Sequence, residues 1–180
     1  MDIIKNTTIR NKYMDGFERT VPVKYLVVHG TGGGKRAKGL LTWMNNPNQR
    51  QQARYRRGVA LFHYIIDRHT GNVIEIIDPD RWVYHASIGD MDGGTIGVEL
   101  VNPNPDNRSA YHRTQYEGLT NLFFYLKQRY PTIENVISHR YAKKVIGGNG
   151  NKNCPGNFDW DLFAKMISAE RTDTKDCLKV

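Results

Sequence analysis

The chain has 180 residues, enough for one compact domain with its own core. Apolar residues make up 39% of it, with 10 Tyr, 6 Phe and 3 Trp, which excludes an intrinsically disordered polymer. Lys and Arg number 26 against 18 acidic residues, and the resulting +8 favours a polyanionic partner (cell-wall polymer, nucleic acid or anionic lipid) without choosing among them.

The start, Met1-Asp2-Ile3-Ile4-Lys5-Asn6, carries an early acid and no apolar h-region, so no secretory signal is read there and synthesis in the cytoplasm is expected. No apolar run approaches a membrane span, which argues against membrane insertion. Tyr25-Leu26-Val27-Val28 reads as a buried strand that stops at His29 and a glycine-rich loop, Gly30 to Gly34. Leu40, Leu41, Trp43 and Met44 suggest a short helix closed by Asn45-Asn46-Pro47, and the polar stretch from Asn48 to Gly58 reads as an exposed loop. Leu61 to Ile66 and Val73 to Ile77 form a predicted hairpin around Asp67 to Asn72. Ile96 to Val101 is a further buried strand, followed by a polar loop from Asn104 to Arg113.

Thr114 and Glu117 match a capping box. Leu119, Leu122, Phe123, Leu126 and Tyr130 then recur at helical spacing until Pro131 stops the element. Val136-Ile137 predicts a short strand delivering His139, a Gly/Asn-rich loop from Gly147 to Asn151 precedes Cys154, and a last helix runs from about Asp159 to Ala169. Strands alternating with helices predict an α/β domain, a central mixed sheet flanked by helices. Residues 1–24 are read as an N-terminal extension, 25–171 as the domain and 172–180 as a tail.

His29, His139 and Cys154 all fall at strand ends or in loops, beside Gly or Pro punctuation, where rigid scaffolds present chemistry. They lie far apart in sequence, without the short spacing of a zinc knuckle. Taken singly, a Cys fits a small core hydrophobe and each His a hydrogen-bonded structural residue. Taken together, a thiolate and two imidazoles suit tetrahedral zinc and leave a fourth position open. Glu99 occupies an otherwise apolar strand, where a charge is costly unless paired or functional; the alternative is the solvated face of an edge strand.

Five blocks in order carry a resemblance: Val27-Val28-His29-Gly30-Thr31, His63-Tyr64-Ile65-Ile66-Asp67, Ile96-Gly97-Val98-Glu99-Leu100, Ser138-His139-Arg140 and Lys152-Asn153-Cys154-Pro155-Gly156. From about Tyr25 to Trp160 the chain resembles the type 2 N-acetylmuramoyl-L-alanine amidases, a superfamily that includes phage endolysins, muropeptide-recycling amidases and peptidoglycan recognition proteins. The resemblance implies one zinc ion held by His29, His139 and Cys154, with Glu99 as catalytic base and Lys152 as the oxyanion-stabilising cation. It gives His85 a role in substrate contact. Some amidase lysozymes lack the Glu and depend on a Tyr just before the position of His63; this chain has Phe62 there, which makes Glu99 the base. His63 alternates with Leu61 and Ile65 and reads as structural, and Cys177 as a free thiol outside the chemistry.

The resemblance implies a monomer that cuts peptidoglycan or a muropeptide between N-acetylmuramic acid and L-alanine, as an endolysin or prophage lysin acting at the cell wall or in the periplasm. Two other roles compete: a cytosolic recycling amidase and a peptidoglycan-binding module that does not cut. Basic charge and Cys154 favour the lysin. Nucleic acid is not an expected partner, because the basic residues follow neither a recognition-helix pattern nor the aromatic spacing of an RNA-binding sheet.

Overall fold

The computed structural model describes residues 3–5, 16–45, 62–146, 153–174 and 176–180; the predicted loops 48–58 and 147–151, and Lys152, lie outside the described residues. Its centre is an eight-stranded mixed sheet in the order β1-β5-β4-β7-β3-β8-β10-β9. The strands are β1 (Ile4–Lys5), β3 (Tyr25–Gly30), β4 (Tyr64–Ile66), β5 (Val73–Glu75), β7 (Thr95–Leu100), β8 (Asn135–Ser138), β9 (Glu170–Arg171) and β10 (Cys177–Lys179). A separate two-stranded ribbon joins β2 (Phe17–Glu18) to β6 (Arg81–Trp82). The four central strands β4, β7, β3 and β8 run parallel, and β5, β10 and β9 enter through antiparallel pairs. The helices are α1 (Ala37–Asn45), α2 (Arg113–Arg129), α3 (His139–Ile146) and α4 (Trp160–Ile167).

A strand's side chains alternate between faces with period two, and this alternation divides the protein into a packed side and a chemical side. Leu26 and Val28 of β3, Tyr64 and Ile66 of β4, Ile96, Val98 and Leu100 of β7, and Val136 of β8 enter one core. Leu119, Leu122, Phe123 and Leu126 of α2, with Phe163 and Ile167 of α4, cover that core. The intervening residues face the other way. Val27 and Ile137 pack there against Ala86, Ile88 and Ala142, and Ile65 packs against Val83, Ala37 and Met44. His29, Gly97 and Glu99 fall on this second face by the same alternation. Coverage of both faces is the usual condition of a parallel sheet and explains why β3 and β7 read as nearly continuous apolar runs.

Both ends of the described chain join the central sheet. Strand β1, in the segment read as an N-terminal extension, pairs with β5, and β10, in the segment read as a tail, pairs with β8. The start of α2 is set two residues before the expected capping box. Its cap is His112, whose amide donates to Oε1 of Gln115 at 3.1 Å, while Glu117 pairs with Arg113 on the helix surface and Thr114 donates to the carbonyl of Arg68. Buried Gln115 also donates to the carbonyl of Val101 at 3.0 Å, tying the helix start to the end of β7. His139 follows the predicted strand directly and begins a helix, α3, that the sequence did not announce. Ser138 Oγ accepts the amide of Tyr141 at 2.8 Å, supplying one of the first-turn donors with a partner. Asp176 from the tail holds this junction by accepting from Arg140 Nε at 2.8 Å, and its carbonyl accepts the amide of Ser138. Among the described residues no helix is long and apolar enough to cross a membrane.

Candidate active site

His29 stands near the carboxyl end of β3, and His139 follows immediately after β8, the next parallel strand. Ligand sites of α/β sheets collect outside the carboxyl ends of such strands. Cys154, from the loop before α4, reaches the same point: its Sγ lies 4.0 Å from Nδ1 of His29 and accepts the amide of Gly30 at 3.3 Å. One ligand atom from each of His29, His139 and Cys154 lies within 4.8 Å of the others, and all three residues are buried. Tetrahedral zinc, with bonds of about 2.0–2.3 Å, holds a nitrogen and a sulfur about 3.6 Å apart. The triad is slightly wider than that and needs only small side-chain movements to close. Both cysteines are free thiols, so no disulfide competes for Cys154; Cys177 is buried in β10.

The loops that carry these groups are stitched together by residues absent from the sequence reading. Asn107 accepts the amide of Gly32 at 2.9 Å through Oδ1 and donates to the carbonyls of Gly30 and Asn153. Its own carbonyl accepts the amide of Asn157. Tyr111 donates to the carbonyl of Pro155 at 2.6 Å, and the amide of Arg140 donates to the carbonyl of Cys154 at 3.1 Å. A Cβ on Gly30 would lie 2.3 Å from the Tyr111 hydroxyl and 2.4 Å from Asn107 Oδ1, so the packing of these loops requires glycine there.

Glu99 is the register partner of His29 on the neighbouring strand β7, on the same face, and is half-buried. Parallel neighbours lie about 4.8 Å apart, so the carboxylate rises beside the imidazole. Glu99, His29, His85, His139 and Cys154 line one open cleft of about 780 Å³, walled by Gly30 to Gly32 and by residues 105–108. Lys152, outside the described residues, precedes Asn153, which also lines the cleft.

His85 lies beside His29. It sits in the cleft wall, but both ring nitrogens are occupied by protein: Nδ1 lies 2.9 Å from Nε2 of His29, and Nε2 lies 2.7 Å from the Thr95 hydroxyl. Its side chain is almost wholly enclosed, and desolvation, aided by the neighbouring His63, His139 and Arg19 charges, pushes its pKa well below the usual imidazole range. His85 is therefore a neutral ring held in the cleft wall, with both nitrogens engaged by protein groups. His63 lies behind it as a structural residue, as expected: its Nδ1 accepts the amide of Gly97 at 2.9 Å and its Nε2 donates to the carbonyl of Arg81 at 3.0 Å. Burial, reinforced by the Arg19 charge, lowers its pKa to about 3.

The His85 ring fits because position 97 lacks a side chain. A Cβ there would lie 2.5 Å from Cγ of His85. Gly97→Ala is thus expected to destabilise the protein by about 1–3 kcal/mol, the usual range for overpacking. Urea titration of the two proteins reads this directly, and equal midpoints and slopes would show that the ring has room to yield.

A mixed sheet thus gathers two imidazoles and a thiol at its carboxyl edge, beside a carboxylate in an open cleft, as a group that could hold a metal ion. The sequence profile of the N-acetylmuramoyl-L-alanine amidase family matches residues 19–157, and the chain belongs to that family. No curated protein matches it in sequence. Among solved structures it is similar to PlyL, with a TM-score of 0.64 and 19% identity, covering 93% of this chain and 97% of that one. It is also similar to the endolysine N-acetylmuramoyl-L-alanine amidase LysCS from Clostridium intestinale URNW (TM-score 0.65, 17% identity, 93% and 95% covered). The AmpD selenomethionine derivative gives a TM-score of 0.63 at 23% identity, with 92% and 94% covered. At these identities the likeness is one of fold.

Proposed function

We propose that the protein is a zinc-dependent hydrolase of the amide bond between N-acetylmuramic acid and L-alanine, acting on cell-wall peptidoglycan as a lysin. The convergence of His29, His139 and Cys154 on one point carries this reading, because the donor set suits zinc and family membership supplies the bond. Zinc, when bound, supplies Lewis acidity, making water a nucleophile near neutral pH and polarising a carbonyl. Glu99, beside His29, takes the proton from the attacking water and hands it to the leaving amine of L-alanine. Lys152, next to a cleft residue in sequence, supplies the cation that offsets the oxyanion's charge as the carbonyl carbon becomes tetrahedral. Gly30 to Gly32 and residues 105–108 bind and orient the substrate along the cleft.

A net charge of +8 supports the intact wall as substrate, since anionic wall polymer concentrates a cationic enzyme. The endolysine LysCS is among its structural relatives, but so is AmpD, so charge rather than resemblance favours the wall.

The test offers purified sacculi and, separately, soluble anhydro-muropeptides to the protein, with product analysis by mass spectrometry. Release of peptides with a free L-alanine amino terminus, lost with a chelator and restored by zinc, is the expected result. Faster turnover of sacculi supports the lysin role. Preference for the soluble substrate would assign a recycling role, and wall binding without release would leave only a binding module.

A further inference from the structure

The two histidines of the proposed zinc site are held by one short turn, Ala86 to Thr95. Asp92, fully buried within it, organises both contacts. Its carboxylate accepts the amides of Ala86 at 2.9 Å and Ile88 at 3.0 Å. The carbonyl of Ala86 in turn lies 3.2 Å from Nε2 of His139. A carbonyl can only accept, so Nε2 of His139 carries the hydrogen and Nδ1 keeps a lone pair.

The path to His29 is longer but has the same kind of anchor. The backbone carbonyl of Asp92 accepts the Thr95 hydroxyl at 2.8 Å. A hydroxyl has one hydrogen; once given to Asp92, it leaves Thr95 Oγ1 as an acceptor for His85 Nε2–H at 2.7 Å. A neutral ring with its hydrogen on Nε2 has an acceptor at Nδ1, which receives Nε2–H of His29 at 2.9 Å. His29 Nδ1 is then left with a lone pair on the side of Cys154 Sγ. If the hydroxyl pointed at His85 instead, every hydrogen along the chain would reverse, and an N–H would face the thiolate where a ligand is needed.

Resting on the zinc reading above, we propose that Thr95 and His85 are positioning residues that set the tautomer of His29, with the polarity of the Asp92 carbonyl transmitted through a hydroxyl and a second imidazole to the metal-facing nitrogen. Partners that fix the tautomer of a ligating histidine typically carry about 10–100-fold in metal affinity.

Two measurements test the relay without using activity. Long-range proton–nitrogen spectra of the metal-free, histidine-labelled protein should show both His29 and His85 with hydrogen on Nε2. Either ring found with hydrogen on Nδ1 overturns the proposal. Zinc affinity, measured by competition with a chromogenic chelator, should weaken about 10–100-fold in Thr95→Val and return to within a few-fold of wild type in Thr95→Ser. Wild-type affinity in Thr95→Val, or equal weakening in both variants, also overturns it. The spectra need only wild-type protein, so a poorly folded variant leaves the proposal testable. Wild-type protein that binds no zinc would instead defeat the zinc assignment, a separate failure from that of the relay.

Discussion

Glu99→Gln is expected to lower kcat on peptidoglycan by about 10²–10⁴-fold, the usual contribution of a positioned acid–base group, with zinc content unchanged. The amide is nearly isosteric with the carboxylate but cannot accept the proton of an attacking water. Glu99 sits in register with His29 across two parallel strands whose other neighbours are buried, so its backbone position is fixed by the core rather than by a mobile loop. Its alternation places it on the cleft face, between Val98 and Leu100 on the packed face. A variant with wild-type turnover would remove Glu99 from proton transfer. Lys152→Met provides the contrasting case: loss of an oxyanion donor should lower kcat by about 10²–10³-fold, again with zinc retained. Initial rates on a soluble muropeptide substrate, with metal content measured on the same samples, separate these effects from loss of the site.

Cys154→Ala should fail differently. Loss of a ligand is expected to weaken zinc binding by more than the ~100-fold that an outer partner can carry, and activity should fall with metal content. The thiol is buried, touched by the amide of Gly30, and only 4.0 Å from Nδ1 of His29. Its loop is also held by Asn107, Tyr111 and Arg140 through backbone groups. The substitution leaves those bonds intact, so the metal-free variant should melt close to the metal-free wild type. Chelator competition and thermal unfolding check both halves. Retained zinc at wild-type affinity would mean that the sulfur is not a ligand.

The gathering of His29, His139 and Cys154 beside Glu99 was legible because each sits in a motif whose local signals agree: apolar strand, sharp stop, glycine or proline. The long helix α2 was legible from periodicity, since seventeen residues give several turns of repeat. Strands β1 and β10 span two and three residues, too short for alternation to register, and they exist only because β5 and β8 offer partners. Helix α3 was hidden because its start is stabilised partly by Asp176, remote in sequence; the nearby Ser138 was the one local sign. The hydrogen bonds of His85 were hidden for a related reason. Which way a ring faces, and whether Thr95 or a substrate meets it, is decided by tertiary packing that a single extended segment does not encode. Asn107 and Tyr111 were lost in a polar loop because their partners are backbone atoms of other loops.

Gly97 has a consequence for how such sites fail. The void above its Cα is occupied by an imidazole whose own neighbour faces the thiolate. The smallest possible addition at a position with no functional group therefore reaches the chemistry by leverage, tilting one ring and through it another. A survey that inspected only His29, His139, Cys154 and Glu99 would overlook a single methyl group pressing on the rings from behind.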